Sequence, residues 1–150
     1  MKDLLYEDRP RYGLLFKIVI WGILAVMLIT AITTFNSSRE EAFASIGTAV
    51  FVLLIFWAVI PRKYCIYEDR IKIVLGTPFS VSIRFDTIKY AGEPKGKLTV
   101  GVNFVTSFRN TVEIVKKKGM NVNISPGDRE AFLENLTNAL DNWRGEHSKT

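Results

Sequence analysis

The side chains with the most chemical reach are few and scattered. The 150 residues include one histidine, His147, and one cysteine, Cys65. His147 lies in the polar C-terminal tail, so no Ser-His-Asp set assembles around it. The chain has no CxxC and no HExxH, the spacings that gather thiolates or imidazoles on a metal. It has no GxxxxGK[ST] and no GxGxxG. Gly92 and Gly96 lie close together, but no helix follows them, so this is a loop and not a phosphate cradle. Asp69, Asp86 and Asp128 fall at turns or helix caps, which accounts for them structurally. The expectation is a non-enzymatic protein with no catalytic, cofactor-binding or metal site.

Two features remain as candidates. Cys65 lies just after an apolar stretch, and a juxtamembrane thiol is a candidate for acylation; the preferred reading is a plain strand residue. Lys116, Lys117 and Lys118 form the strongest basic run, with Lys89, Lys95 and Lys97 elsewhere. A lysine near an anionic leaflet is worth about 1 kcal/mol, so these three are the candidate anionic-lipid contacts. A solvated hairpin tip or a protected edge strand explains them as well, and that reading is preferred. Nucleic-acid binding calls for basic residues interleaved with exposed aromatics. Tyr90, Phe104 and Phe108 read instead as core, and no nucleic-acid partner is expected.

The elements that position these residues begin with two apolar runs. Ile18 to Phe35 is 18 residues without a charge, and Ala42 to Ile60 is 19. With a rise of about 1.5 Å per residue, each approaches the roughly 30 Å of a bilayer core. They read as a transmembrane helical hairpin over 13–61, with helices at about 14–35 and 39–60. Ser38 with Glu41 has the spacing of a capping box, and Pro61 closes the second helix. The first run exceeds the core of a signal peptide and a second follows at once, so no cleavage is expected. Residues 1–12 read as an exposed charged tail. Gly22, Ala25 and Thr30, with Ser45, Gly47, Thr48 and Ala49, are small residues that would let the helices pack closely.

Basic residues set the orientation. Lys2, Arg9, Arg11 and Lys17 precede the hairpin and Arg62, Lys63 and Arg70 follow it, whereas the connecting loop has only Arg39. Basic flanks stay in the cytoplasm. The expectation is a multi-pass protein of the cytoplasmic membrane with both termini inside. Trp21 and Trp57 fall at the same end of the hairpin, as an aromatic belt would have them. Formal net charge is +5, and Arg62 to Thr150 carries all of the excess, with 15 Lys/Arg against 10 Asp/Glu. A lone cysteine excludes an intrachain disulfide.

From Tyr64 the apolar period shortens to two. Six or seven short strands follow, broken at Glu68-Asp69-Arg70, Gly76-Thr77-Pro78, Gly92–Gly96, Phe108–Asn110 and Lys116–Gly119. The chain then switches to an amphipathic helix, with Ser125 at the N-cap, Pro126 in the first turn and Gly145 as the stop. Phe132, Leu136, Leu140 and Trp143 form its apolar stripe. The soluble part, 62–145, is expected to be an α+β domain of antiparallel strands with a C-terminal helix, followed by a loose tail over 146–150.

A two-helix hairpin, a meander of short strands and one C-terminal helix resemble the bacterial membrane proteins with a PH-like domain, the bPH or DUF304-type family. Tyr67-Glu68-Asp69-Arg70-Ile71-Lys72-Ile73 looks like that family's first hairpin. Val81 to Lys89, and Val112-Glu113-Ile114-Val115 with Val122 to Pro126 and Phe132-Leu133, look like its later strands entering the helix. The resemblance implies a partly open PH-like barrel or sandwich capped by a helix, and no catalytic residues. PH domains that bind phosphoinositides resemble one another in basic residues at the first hairpin loop; here that loop is mostly acidic. The functional expectation is a membrane-held binding or scaffold domain acting on a protein partner or a second copy. The alternatives are an anionic-lipid-interacting regulator and a small subunit of a membrane assembly or transport complex.

Overall fold

The N-terminal stretch, expected to be an exposed tail, is a strand. Leu4–Asp8 (β1) pairs antiparallel with Lys63–Tyr67 (β2), Tyr6 opposite Ile66 and Asp8 opposite Tyr64. Tyr6 packs edge-on against Phe132, which supplies an apolar anchor that the charges around it conceal in the sequence. The computed structural model describes residues 3–35, 39–94, 101–107 and 110–147. Ser38, Lys95, Lys97 and Phe108, singled out above, lie outside the described residues.

Between these paired strands run two helices, Leu14–Phe35 (α1) and Arg39–Val59 (α2). None of α1's residues is buried. Thr30, Thr33, Thr34 and Thr48 donate their hydroxyls to carbonyls one turn back in their own helix, which satisfies polar groups that an apolar solvent would leave unpaired. Gly22 and Gly47, two of the small residues expected to let the helices pack closely, are not points of close approach. A Cβ added at Gly22 or Gly47 would meet nothing within 4 Å. The helices instead flank a groove of about 590 Å³ lined by large apolar side chains such as Leu24, Met27, Val50 and Leu54.

Strands Arg70–Val74 (β3) and Ser80–Arg84 (β4) complete the first sheet, in the order β1-β2-β3-β4. A short 3-10 turn, Phe85–Thr87, leads into Ile88–Gly92 (β5). Gly101–Phe104 (β6), Val112–Lys116 (β7) and Asn121–Ile124 (β8) form the second sheet with it, in the order β5-β7-β8-β6. The sequence suggests six or seven strands; the described residues form eight, the extra one being β1. The expected all-antiparallel arrangement is also corrected, because β6 runs parallel to β8. No ladder joins the two sheets among the described residues, and a closed barrel is not formed.

The C-terminal helix, Arg129–His147 (α3), lies against both sheets. Its Phe132, Leu136, Ala139 and Leu140 are buried with Tyr64, Ile66, Ile73, Ile114 and Ile124 in one core. The cap differs from the one expected. Asp128 Oδ1 accepts the Ala131 N–H at 3.0 Å, three residues past Ser125, because Ser125 is drawn inward into the core's polar seam. Gly145 does not stop the helix, which continues to His147, whose ring stacks on Trp143. The soluble part is thus an α+β domain beneath an apolar helix pair.

Candidate membrane interface

The ends of the domain differ in what they touch, and the end beside α1 and α2 is tightly laced. Arg11 N–H donates to the Ser125 carbonyl (3.0 Å), Gly13 N–H to the Thr106 carbonyl (2.7 Å), and Thr106 Oγ1 to the Arg11 carbonyl (2.8 Å). Tyr12 OH donates to the Pro61 carbonyl at 2.8 Å, tying the start of α1 to the end of α2. Tyr64 OH donates to the Phe104 carbonyl (3.2 Å) and accepts the Ser125 N–H (3.3 Å). Ser125 Oγ donates to the Ser107 carbonyl (2.9 Å). Buried polar side chains here fasten the segment before α1 to the two sheets. A hydrogen bond left unmade in such a place costs more than the bond itself contributes.

The turn between β3 and β4 reaches the same neck. Gly76 N–H donates to the Ala58 carbonyl in the last turn of α2, and a Cβ at Gly76 would collide with the Trp57 carbonyl. Only glycine allows this approach. Beside it Phe79 is 54% exposed. Trp57 carries the Arg62 guanidinium 4.8 Å from its ring centroid. Trp21, 71% exposed, shares a cleft with Ile60, so the two tryptophans do lie at one end of the helix pair. Arg9, Arg11, Lys17 and Arg62 are exposed around this neck. Lys63 pairs with Glu7 at 2.7 Å. Aromatic and cationic side chains gathered at the end of exposed apolar helices make a belt suited to a water–lipid boundary.

Among the described residues one helix, α1, is long and apolar enough to cross a bilayer. For α2 the sequence expects a second full span, but its uninterrupted apolar part covers Phe43–Val59, which is shorter. Glu40 and Glu41 occupy the first turn of α2.

The sequence-derived candidates fall elsewhere. Lys116 closes β7, and Lys117 and Lys118 are exposed in the turn to β8, where Gly119 takes a φ of +87°. Lys117 N–H donates to the Thr87 carbonyl, Thr87 Oγ1 to the Arg84 carbonyl, and Phe85 N–H to the Asp69 carbonyl. These bonds bring the lysine tip and the Glu68–Arg70 turn to one end of the domain. The neck, at Ser125 and Val112, is at the other. The five residues of β7 separate them by about 13 Å. Lys116, Lys117 and Lys118 therefore share a tip, and that tip is remote from α1 and α2.

Cys65 is 5% exposed on β2. Burial pushes its thiol pKa up, Glu7 adds to this, and Lys63 and Lys72 oppose it. That favours the neutral thiol, not a reactive thiolate. Tyr90, expected in the core, is 37% exposed, whereas Phe104 packs against the core. The residues that sequence reasoning missed are Tyr12, Thr106 and Ser107, and Ser125 reads there in a different role, the N-cap. Thr106 and Ser107 read only as isolated polar residues in loops. No group of His, Cys, Asp or Glu suited to a metal occurs among the described residues.

No protein-family model matches this chain, and no curated protein or solved structure matches it.

Proposed function

We propose that this chain is an integral, multi-pass membrane protein whose helical hairpin seats a non-enzymatic binding domain directly on the cytoplasmic surface of the membrane. The observation that carries this reading is the pairing of β1 with β2. One strand precedes α1 and the other follows α2, yet they are neighbours in one sheet. A chain that crosses through α1 must come back through α2 for that pairing to form. The shorter apolar run of α2 is compatible with a return crossing, since thinning of the bilayer and snorkelling side chains accommodate a short span at modest cost. The cations at the neck support a cytoplasmic domain with both termini inside.

Two sheets with a C-terminal helix lying against them are compatible with the PH-like reading drawn from the order of elements. The polar side chains at the neck act as fasteners between backbone segments, which supports a presenting role over a reacting one. The domain would act as a scaffold for a protein partner or a second copy of the chain, or as the small subunit of a membrane assembly. The position of the lysine tip argues against Lys116, Lys117 and Lys118 as the lipid contact, since the helices are at the opposite end.

Affinity capture of the full-length protein in mild detergent, with proteomics on the eluate, tests the reading. A stoichiometric protein partner or a defined oligomer is expected. Release of the protein from membranes by an alkaline carbonate wash would overturn it.

A further inference from the structure

The neck contains a cleft of about 520 Å³, lined by Tyr12, Phe16, Lys17, Ile20, Trp21 and Ile60. Its polarity is graded. Lys17 and the indole of Trp21 stand on its wall, and Tyr12 stacks on Phe16 with ring centroids 5.5 Å apart. The Tyr12 hydroxyl is already committed to the Pro61 carbonyl. No ion pair or side-chain hydrogen bond engages Lys17 among the described residues, and an ammonium there is the cleft's own charge. Ile20 and Ile60 also line the apolar groove between α1 and α2. The charged cleft therefore opens into an apolar channel.

We infer that this cleft binds one anionic glycerophospholipid, with its phosphate on the Lys17 ammonium and one acyl chain along the groove between α1 and α2. The inference rests on the proposed membrane-spanning arrangement. The graded lining distinguishes a lipid from a free phosphate, because a small soluble anion has no use for the apolar floor of Phe16, Ile20 and Ile60. Charge complementarity distinguishes an anionic lipid from a zwitterionic one, since no carboxylate lines the cleft to meet a choline. Arg11 and Arg62, exposed nearby, add to the positive field. The ammonium and the indole N–H at the boundary are donors, as a phosphate requires.

The test uses the full-length protein in mild detergent, exchanged into mixed phosphatidylglycerol and phosphatidylcholine, with native mass spectrometry of the retained lipid. Wild-type protein is expected to retain phosphatidylglycerol about fivefold over phosphatidylcholine. Lys17→Gln should abolish that preference, and Lys17→Arg should keep it. Replacing Lys116, Lys117 and Lys118 together by Gln should leave it unchanged. Leu24→Trp, which fills the groove without altering charge, should lower retention of both lipids. The inference is overturned if Lys17→Gln keeps the wild-type preference, or if the triple Gln variant loses it. A second copy of the chain in place of lipid would also overturn it. A protein that resists the carbonate wash yet shows no lipid preference defeats this inference alone; one that is washed off defeats the membrane reading beneath it.

Discussion

Helices α1 and α3 have similar lengths, 22 and 19 residues, and meet opposite surroundings. In α3 the apolar residues form one stripe, and Phe132, Leu136, Ala139 and Leu140 are buried against the sheets. In α1 apolar residues occupy every face and none is buried within the chain. A helix that is apolar on one side has the protein as its partner; one that is apolar all round needs an apolar medium. The comparison teaches that length and hydrophobicity do not by themselves identify a membrane helix. The decisive property is what the rest of the chain leaves uncovered.

The sharpest way to break the comparison is to exchange the two penalties. Phe132→Ala removes a fully buried ring that meets Tyr6 and Tyr64 edge-on. It should cost the domain about 3–5 kcal/mol, visible as a lower melting temperature in detergent, while the protein stays in the membrane fraction. Leu24→Asp in α1 should do the reverse. An acid at the centre of a span costs about 3 kcal/mol of insertion, so the membrane-integrated fraction should fall while the domain's own core is untouched. If both substitutions affect the melt alone, α1 is an ordinary soluble helix.

A smaller effect is expected at the seam between the two environments. Tyr64→Phe removes the hydroxyl that joins Phe104 and Ser125 and should cost about 1 kcal/mol. Burial raises the Tyr64 pKa well above the ordinary phenol value, partly offset by the Ser125 N–H. A group whose pKa is raised on folding contributes stability that is complete below its unfolded pKa, about 10, and is lost as the pH climbs beyond it. Melting temperature should thus fall steeply above about pH 10 in the wild type and less steeply in Tyr64→Phe. Equal slopes would mean that Tyr64 ionises at the same pH in the folded and the unfolded chain, so that burial does not raise its pKa.

The smallest change concerns Cys65. Its burial and raised pKa predict slow alkylation by a maleimide in folded protein near neutral pH and rapid alkylation once denatured. Rapid labelling of the native protein would show that β1 leaves the sheet readily, since β1 lies beside β2 with Glu7 opposite Cys65.

Much of the architecture was legible because it rests on periodicity. Runs such as Val81, Ile83 and Phe85 alternate with polar residues, and the stripe Phe132, Leu136, Leu140 recurs at helical spacing; both follow from side-chain direction in strands and helices. Gly119, at positive φ, marked the β7–β8 turn for the same local reason. The illegible parts depend on distant partners. Leu4–Asp8 looks like a charged tail because its pairing partner lies some 60 residues away. Ser125 has the type and position of an N-cap, but its hydroxyl goes to Ser107 instead. The parallel β6–β8 pair carries no local mark. The neck was legible only as separate tryptophans and basic residues. The bonds from residues 11–13 to 61, 106 and 125 that make it a single structure are all long-range.

The β1–β2 pairing also imposes an order on biogenesis. The first strand is made before either helix, but its partner does not exist until both helices have been synthesised. Closing so long a loop is slow compared with local contacts. During that interval Leu4 to Asp8 is an unpaired strand. An N-terminal fusion or a truncation past Asp8 would therefore disturb more than a terminus. It would leave β2 as a bare edge and remove the part of the domain that only a completed hairpin can bring home.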